Sequence, residues 1–100
     1  MELTRTDQGD QTTITLAGIL KQATAPSLRQ MTSELQAADR KNVTLDMTSI
    51  TEIDSSGVAA IVELHKQLKS MGGTLTISGL QGQPRAILNL LRLNKVLSSH

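Results

Sequence analysis

Apolar and polar residues alternate in short runs along this chain, and between the runs apolar residues recur at every third or fourth position. Thr12 to Leu16 sets Ile14 and Leu16 against Thr13 and Thr15, which predicts a half-buried strand closed by Gly18. Met1 to Thr6 predicts a short strand before it, hairpinned to it through the polar turn Asp7 to Asp10. Val43, Leu45 and Met47 alternate with polar neighbours, so Val43 to Met47 is a further strand, with Thr48 to Glu52 as a link out of it. Thr74 to Ser78 alternates again around Leu75 and Ile77.

The helical segments fall between these runs. Leu28, Met31 and Leu35 share one face of a helix from Pro26 to about Ala38, with Pro26 in the first turn and Thr24 as its cap. From Gly57 to about Met71, Val58, Ile61, Leu64 or His65, and Leu68 form a stripe opposed by Glu63, Lys66, Gln67 and Lys69. Gly72-Gly73 ends that helix. After a loop from Gly79 to Gln83, Pro84 begins a last short helix with Ile87, Leu88 and Leu91 apolar. Val96 and Leu97 close the chain as a docked tail or brief strand.

The order strand, strand, helix, strand, helix, strand, helix implies parallel crossovers, hence an α/β fold with a mixed sheet of four to five strands. Only three helices are available, so they should lie mainly on one face. The length, 100 residues, suits one domain spanning 1–100.

Composition narrows the function. With no Phe, Tyr or Trp, the core must be aliphatic, and no ring is present on which a base could stack. A formal net charge of +1, without a basic run, argues against a nucleic-acid partner. The absence of Cys removes disulfides and thiolate chemistry. The N-terminal stretch MELTRTDQGD lacks the apolar core of a signal peptide, and no segment has the length of a membrane span, so a soluble cytoplasmic domain without membrane insertion is expected.

One stretch carries candidate chemistry. Asp54-Ser55-Ser56-Gly57 stands where the second helix begins, at the carboxyl end of a strand, the edge at which such sheets usually place their sites. Asp and Ser are preferred N-caps, because their oxygens accept unpaired first-turn N–H groups. On that reading all three polar residues only start the helix. On the other, a serine there is a phosphoacceptor, and a phosphate adds about 1.5 to 2 negative charges beside Asp54.

Enzymatic alternatives fit poorly. Ser55 and His65 are about 15 Å apart along a helix at 1.5 Å per residue, too far for a triad with Asp54. Two His and scattered carboxylates form no metal site, and Gly79 to Pro84 is not a phosphate-binding loop. No catalytic residue, cofactor or metal is expected.

The run VTLDMTSITEIDSSGVAAIVELHKQLKSMGGTLTISGL, Val43 to Leu80, resembles the STAS domain of bacterial anti-sigma factor antagonists, and AILNLLRLNKVL, Ala86 to Leu97, resembles that family's last helix and Leu-rich end. The resemblance implies a small STAS-like α/β domain without catalytic activity. It would bind an anti-sigma factor, often a serine kinase, and so free a sigma factor. Phosphorylation would fall on Ser55 and be reversed by a phosphatase, with Asp54, Ser56 and Gly57 shaping the turn and the contact surface. The segment Gly18-Ile19-Leu20-Lys21 departs from the family's pattern, which has an acidic residue where Lys21 stands. Lys21 is therefore expected near the Ser55 corner, where it would pair with a phosphate. The alternative implied is a cytoplasmic STAS subunit of an ABC-type phospholipid transport complex, whose partner is the transporter's ATPase. In those relatives a threonine or glycine often replaces a serine of the motif, so the intact Asp54-Ser55-Ser56-Gly57 favours the antagonist.

Overall fold

The computed structural model describes residues 1–91 and the backbone of Ser98–Ser99. Strand β1, Glu2–Gln8, turns back through Gly9 and Asp10 into β2, Gln11–Leu20, as an antiparallel hairpin. Helix α1, Ala25–Ala37, crosses to β3, Asn42–Ile53. Helix α2, Ser55–Ser70, crosses to β4, Thr74–Ser78, and helix α3, Gly82–Leu90, follows. The sheet order is β1-β2-β3-β4-β5, where β5 is the two-residue strand Ser98–Ser99. Pairs β2–β3, β3–β4 and β4–β5 are parallel, so the sheet is mixed as the alternation of elements implied. Val96 and Leu97 lie outside the described residues.

The alternation of each strand decides which face is covered. Ile14 and Leu16 of β2, Val43, Leu45 and Met47 of β3, and Leu75 and Ile77 of β4 are buried. Their neighbours Thr13, Thr15, Thr44, Asp46 and Thr76 stay partly or fully accessible on the other face. The covering layer comes from Leu28 and Leu35 of α1 and from Val58, Ile61, Leu64 and Leu68 of α2. The core is aliphatic throughout, as the composition required. Helices α1 and α2 lie side by side, joined by Arg29 Nε to Glu63 Oε2 at 2.8 Å and by Gln67 Nε2 donating to Thr32 O at 2.6 Å.

Several boundaries differ from the sequence expectation, each for a physical reason. Gly18 does not close β2. It sits inside the strand at φ +107°, a backbone shape that favours glycine, and the chain continues to Leu20. The segment Thr48 to Glu52 is not a link but the second half of β3. Two bulges hide it: Thr15 pairs with Asp46 but Ala17 with Ser49, and Gly18 pairs with Ile50 but Ile19 with Glu52. Each shift inserts one extra residue in β3, so its buried positions run Met47, Ile50, Ile53, three apart instead of two. Asp46 Oδ1 holds the first bulge, accepting from Thr48 N at 3.0 Å and Thr48 Oγ1 at 2.6 Å. These bonds, the hydroxyl's first, keep the Asp46 carboxyl below its usual range.

Thr24 occupies the N-cap position of α1, but its side chain does not cap the helix. Its hydroxyl donates instead to Ile19 O at 2.8 Å and accepts from Lys21 N at 2.9 Å, which shapes the turn after β2. Leu91 is the α3 C-cap and is 52% exposed, so only Leu88 of the three expected apolar positions is fully buried there, with Ile87 partly so.

Candidate functional site

The carboxyl ends of β2 and β3 meet the N-terminus of α2 at one corner of the sheet. Asp54 follows β3 directly with an extended backbone, φ −118° and ψ −173°, and is the N-cap of α2. Its Oδ1 accepts from Gly57 N at 2.9 Å, the bond an N-cap carboxylate makes with the third helical N–H. Its Oδ2 accepts from Gln22 N at 3.0 Å, and its own N–H donates to Leu20 O at 3.3 Å. One carboxylate therefore starts the helix and ties it to the end of β2. The Gly57 N–H is the largest reason that the Asp54 carboxyl sits below its usual value; the Gln22 and Ser56 N–H groups and the Lys21 charge add to it against desolvation.

Gly57 is buried because the first turn of α2 lies against the backbone of Leu20. A Cβ there would collide with Leu20 O, and would stand 2.8 Å from Ile53 Cγ1. Glycine is what lets the helix start this close to the neighbouring strand.

The serines differ from Asp54. Ser55 is exposed and Ser56 half-buried, both within the helix's first turn. Among the described residues neither hydroxyl makes a hydrogen bond of the kind Asp54 makes, so the capping expected of all three falls to Asp54 alone.

Lys21 stands at the same corner. Leu20 and Gln22 flank it, and both bond Asp54 through their backbones. The Lys21 ammonium is 3.2 Å from Glu52 Oε2, with both side chains substantially accessible. All five residues singled out in the sequence, Lys21, Asp54, Ser55, Ser56 and Gly57, are thus brought together.

Three neighbours were not foreseen. The alternation makes Glu52 part of a link, yet the extended β3 sets it opposite Ile19 and in reach of Lys21. Ile19 is 38% exposed at this edge. The signal was present: Leu16 and Leu20 both face the core, and Ile19 lies between the glycine and the second of them. Gln83, at the start of α3, accepts from Ile53 N at 2.8 Å and donates to Ile53 O at 2.9 Å, directly before the Asp54 turn. No sequence pattern announces that contact, since it joins segments 30 residues apart.

His65 lies half-buried on α2, ten residues beyond Ser55, where burial and then Lys69 lower its pKa. Among the described residues no group of three or more His, Asp or Glu side chains is placed to hold a metal ion. No described helix is long and apolar enough to cross a membrane.

The fold has well-matched solved counterparts. A putative anti-sigma factor antagonist from Thermotoga maritima superposes with a TM-score of 0.91 at 17% identity, over 97% of this chain and 84% of that one. The Bacillus cell fate determinant SpoIIAA in its phosphorylated form matches at 0.78 and 15% identity, over 99% and 91%. A sulfate transporter family protein from Wolinella succinogenes matches at 0.78 and 20%, over 91% and 74%. At these identities the likeness is one of fold. The family model described as "Mlab, STAS domain" matches residues 3–98, nearly the whole length. A mixed sheet covered on one face, with an Asp-capped helix opening at its carboxyl edge, is accordingly a STAS domain, and the chain belongs to the Mlab STAS family.

Proposed function

We propose that this protein is an anti-sigma factor antagonist that works by binding rather than catalysis, through the corner formed by Lys21, Asp54, Ser55, Ser56 and Gly57. It captures an anti-sigma factor with serine kinase activity and thereby releases a sigma factor. Phosphorylation of Ser55 ends the interaction, and a phosphatase restores it. The observation that carries this reading is the division of labour at the turn: Asp54 does the capping, and the exposed Ser55 hydroxyl has no hydrogen-bond partner among the described residues. A phosphate on Ser55 would add its charge next to the Asp54 carboxylate without breaking a bond that holds the fold, and a docking partner would have to desolvate it.

The matching family model carries the name Mlab rather than that of an antagonist, and this favours a second reading. In it the chain is a cytoplasmic STAS subunit of an ABC-type phospholipid transport complex, its partner is the transporter ATPase, and Ser55 is a surface residue of the interface.

Capture from native lysate, with partners identified by mass spectrometry, separates the two. The first reading expects an anti-sigma kinase retained by wild type and Ser55→Ala and lost with Ser55→Asp. An ABC ATPase retained whatever stands at position 55 would replace it with the second.

A further inference from the structure

The Lys21–Glu52 ion pair spans the ends of β2 and β3 immediately beside the Asp54 turn. Lys21 is fixed there at its backbone, not at its tip. Leu20 O and Gln22 N on either side of it both bond Asp54, and Lys21 N and O are engaged by Thr24. The side chain above that anchored backbone is 39% exposed and that of Glu52 54% exposed. An ion pair so open to water is weak and easily exchanged. Near Lys21 lie two carboxylates of unlike commitment: Asp54 spends both oxygens on backbone N–H groups, while Glu52 has the lysine as its ion-pair partner. Any new anion on Ser55 would compete with Glu52 for the same ammonium, carrying up to twice its charge.

We infer that Lys21 is an exchangeable counter-ion, paired with Glu52 while Ser55 is a free hydroxyl and transferred to the phosphate once Ser55 is modified. This rests on the reading of Ser55 as the phosphoacceptor. It gives the modified corner two changes instead of one: a phosphate partly neutralised from within, and a Glu52 carboxylate released toward solvent beside Ile19. A partner that discriminates the two forms then meets Glu52 in one and the Lys21–Glu52 pair in the other.

The test needs neither kinase nor partner. Phosphoserine is placed at position 55 during translation, and its phosphate is titrated by phosphorus NMR in the otherwise wild-type chain, in Lys21→Gln, in Glu52→Gln and in the double variant. Pairing with Lys21 lowers the second phosphate pKa by about half a unit relative to Lys21→Gln, with the difference shrinking in high salt. Exchange further requires that removing Glu52 lowers this pKa more when Lys21 is present than when it is Gln. Identical titration of wild type and Lys21→Gln overturns the inference, as does a Glu52→Gln effect independent of Lys21. Neither result touches the switch reading, which fails separately if partner capture ignores residue 55.

Discussion

Gln83 turns both ends of its side-chain amide toward a single residue, Ile53, accepting from its N–H at 2.8 Å and donating to its C=O at 2.9 Å. Strand β4 ends at Ser78, paired with Asp46, so among the described residues no strand lies beside the second half of β3 on that side. Gln83 supplies there the two bonds that a neighbouring strand would have made, and Gln81 Nε2 does the same for Thr48 O at 3.0 Å. Gln83→Ala should therefore lower stability by about 1–3 kcal/mol, the sum of two ordinary hydrogen bonds. Gln83→Glu should cost as much or more, since a carboxylate cannot donate to Ile53 O. Urea unfolding checks both, and a midpoint unchanged in Gln83→Ala would show these bonds to be replaced by water without loss.

The turn at Asp54 predicts opposite outcomes for adjacent residues. Ser55→Ala should change stability by less than about 0.5 kcal/mol, because the exposed hydroxyl takes no part in the cap. Asp54→Ala should lower the melting temperature clearly, since it removes the acceptor for both Gly57 N and Gln22 N. Equal melting temperatures for the two variants would contradict the division of labour on which the functional reading stands.

Gly57→Ala should be the most damaging small change at the corner. Its methyl would meet backbone at Leu20, which cannot rotate away as a side chain would. The first turn of α2 must then lift off β2, at a cost on the order of 3 kcal/mol. Circular dichroism melting of this variant against Ser56→Ala gives the comparison, and a Gly57→Ala protein as stable as wild type would refute the close approach.

Acid should weaken the same turn. The folded-state pKa of Asp54 is depressed below its ordinary 3.8, chiefly by the Gly57 N–H. The unfolded chain then binds the proton more readily than the folded one. The contribution is fully present above 3.8 and disappears as pH falls through the depressed folded value. Asp54→Asn keeps a capping oxygen but does not titrate, so its stability should decline less steeply across that window. Asp7, held down chiefly by its bond from Arg5, and Asp46 keep part of the acid dependence in both proteins. Denaturant midpoints measured from neutral pH downward test this, with parallel curves counting against it.

At the opposite end of the sheet, Arg40 ties the α1–β3 connection to the hairpin. Its guanidinium donates to Thr12 Oγ1 at 2.8 Å, Gly9 O at 2.9 Å and Gln11 O at 2.8 Å. A lysine cannot reproduce three donors in one plane. Arg40→Lys and Arg40→Ala should both lose on the order of 2 kcal/mol while leaving partner capture at the Ser55 corner intact. A loss of capture in a folded Arg40 variant would place the docking surface elsewhere.

What the chain's own pattern determined was local. Alternation in Val43 to Met47 and Thr74 to Ser78, the three-and-four spacing in α1 and α2, and the Asp54 cap are each set by neighbours within a few residues, and a strand or helix stands at each, with α2 starting at Ser55, two residues before its apolar stripe predicts. Periodicity fails where one strand must follow the register of another. The bulges at Thr48 and Thr51 shift β3 against β2, so the alternation stops at Met47 although the strand runs to Ile53. That extension carries Glu52 to Lys21 and Ile53 to Gln83, and it brings the cap of α2 against Leu20. Strand pairing sets these contacts because the distance between two chain segments is a property of the pair, not of either sequence run alone.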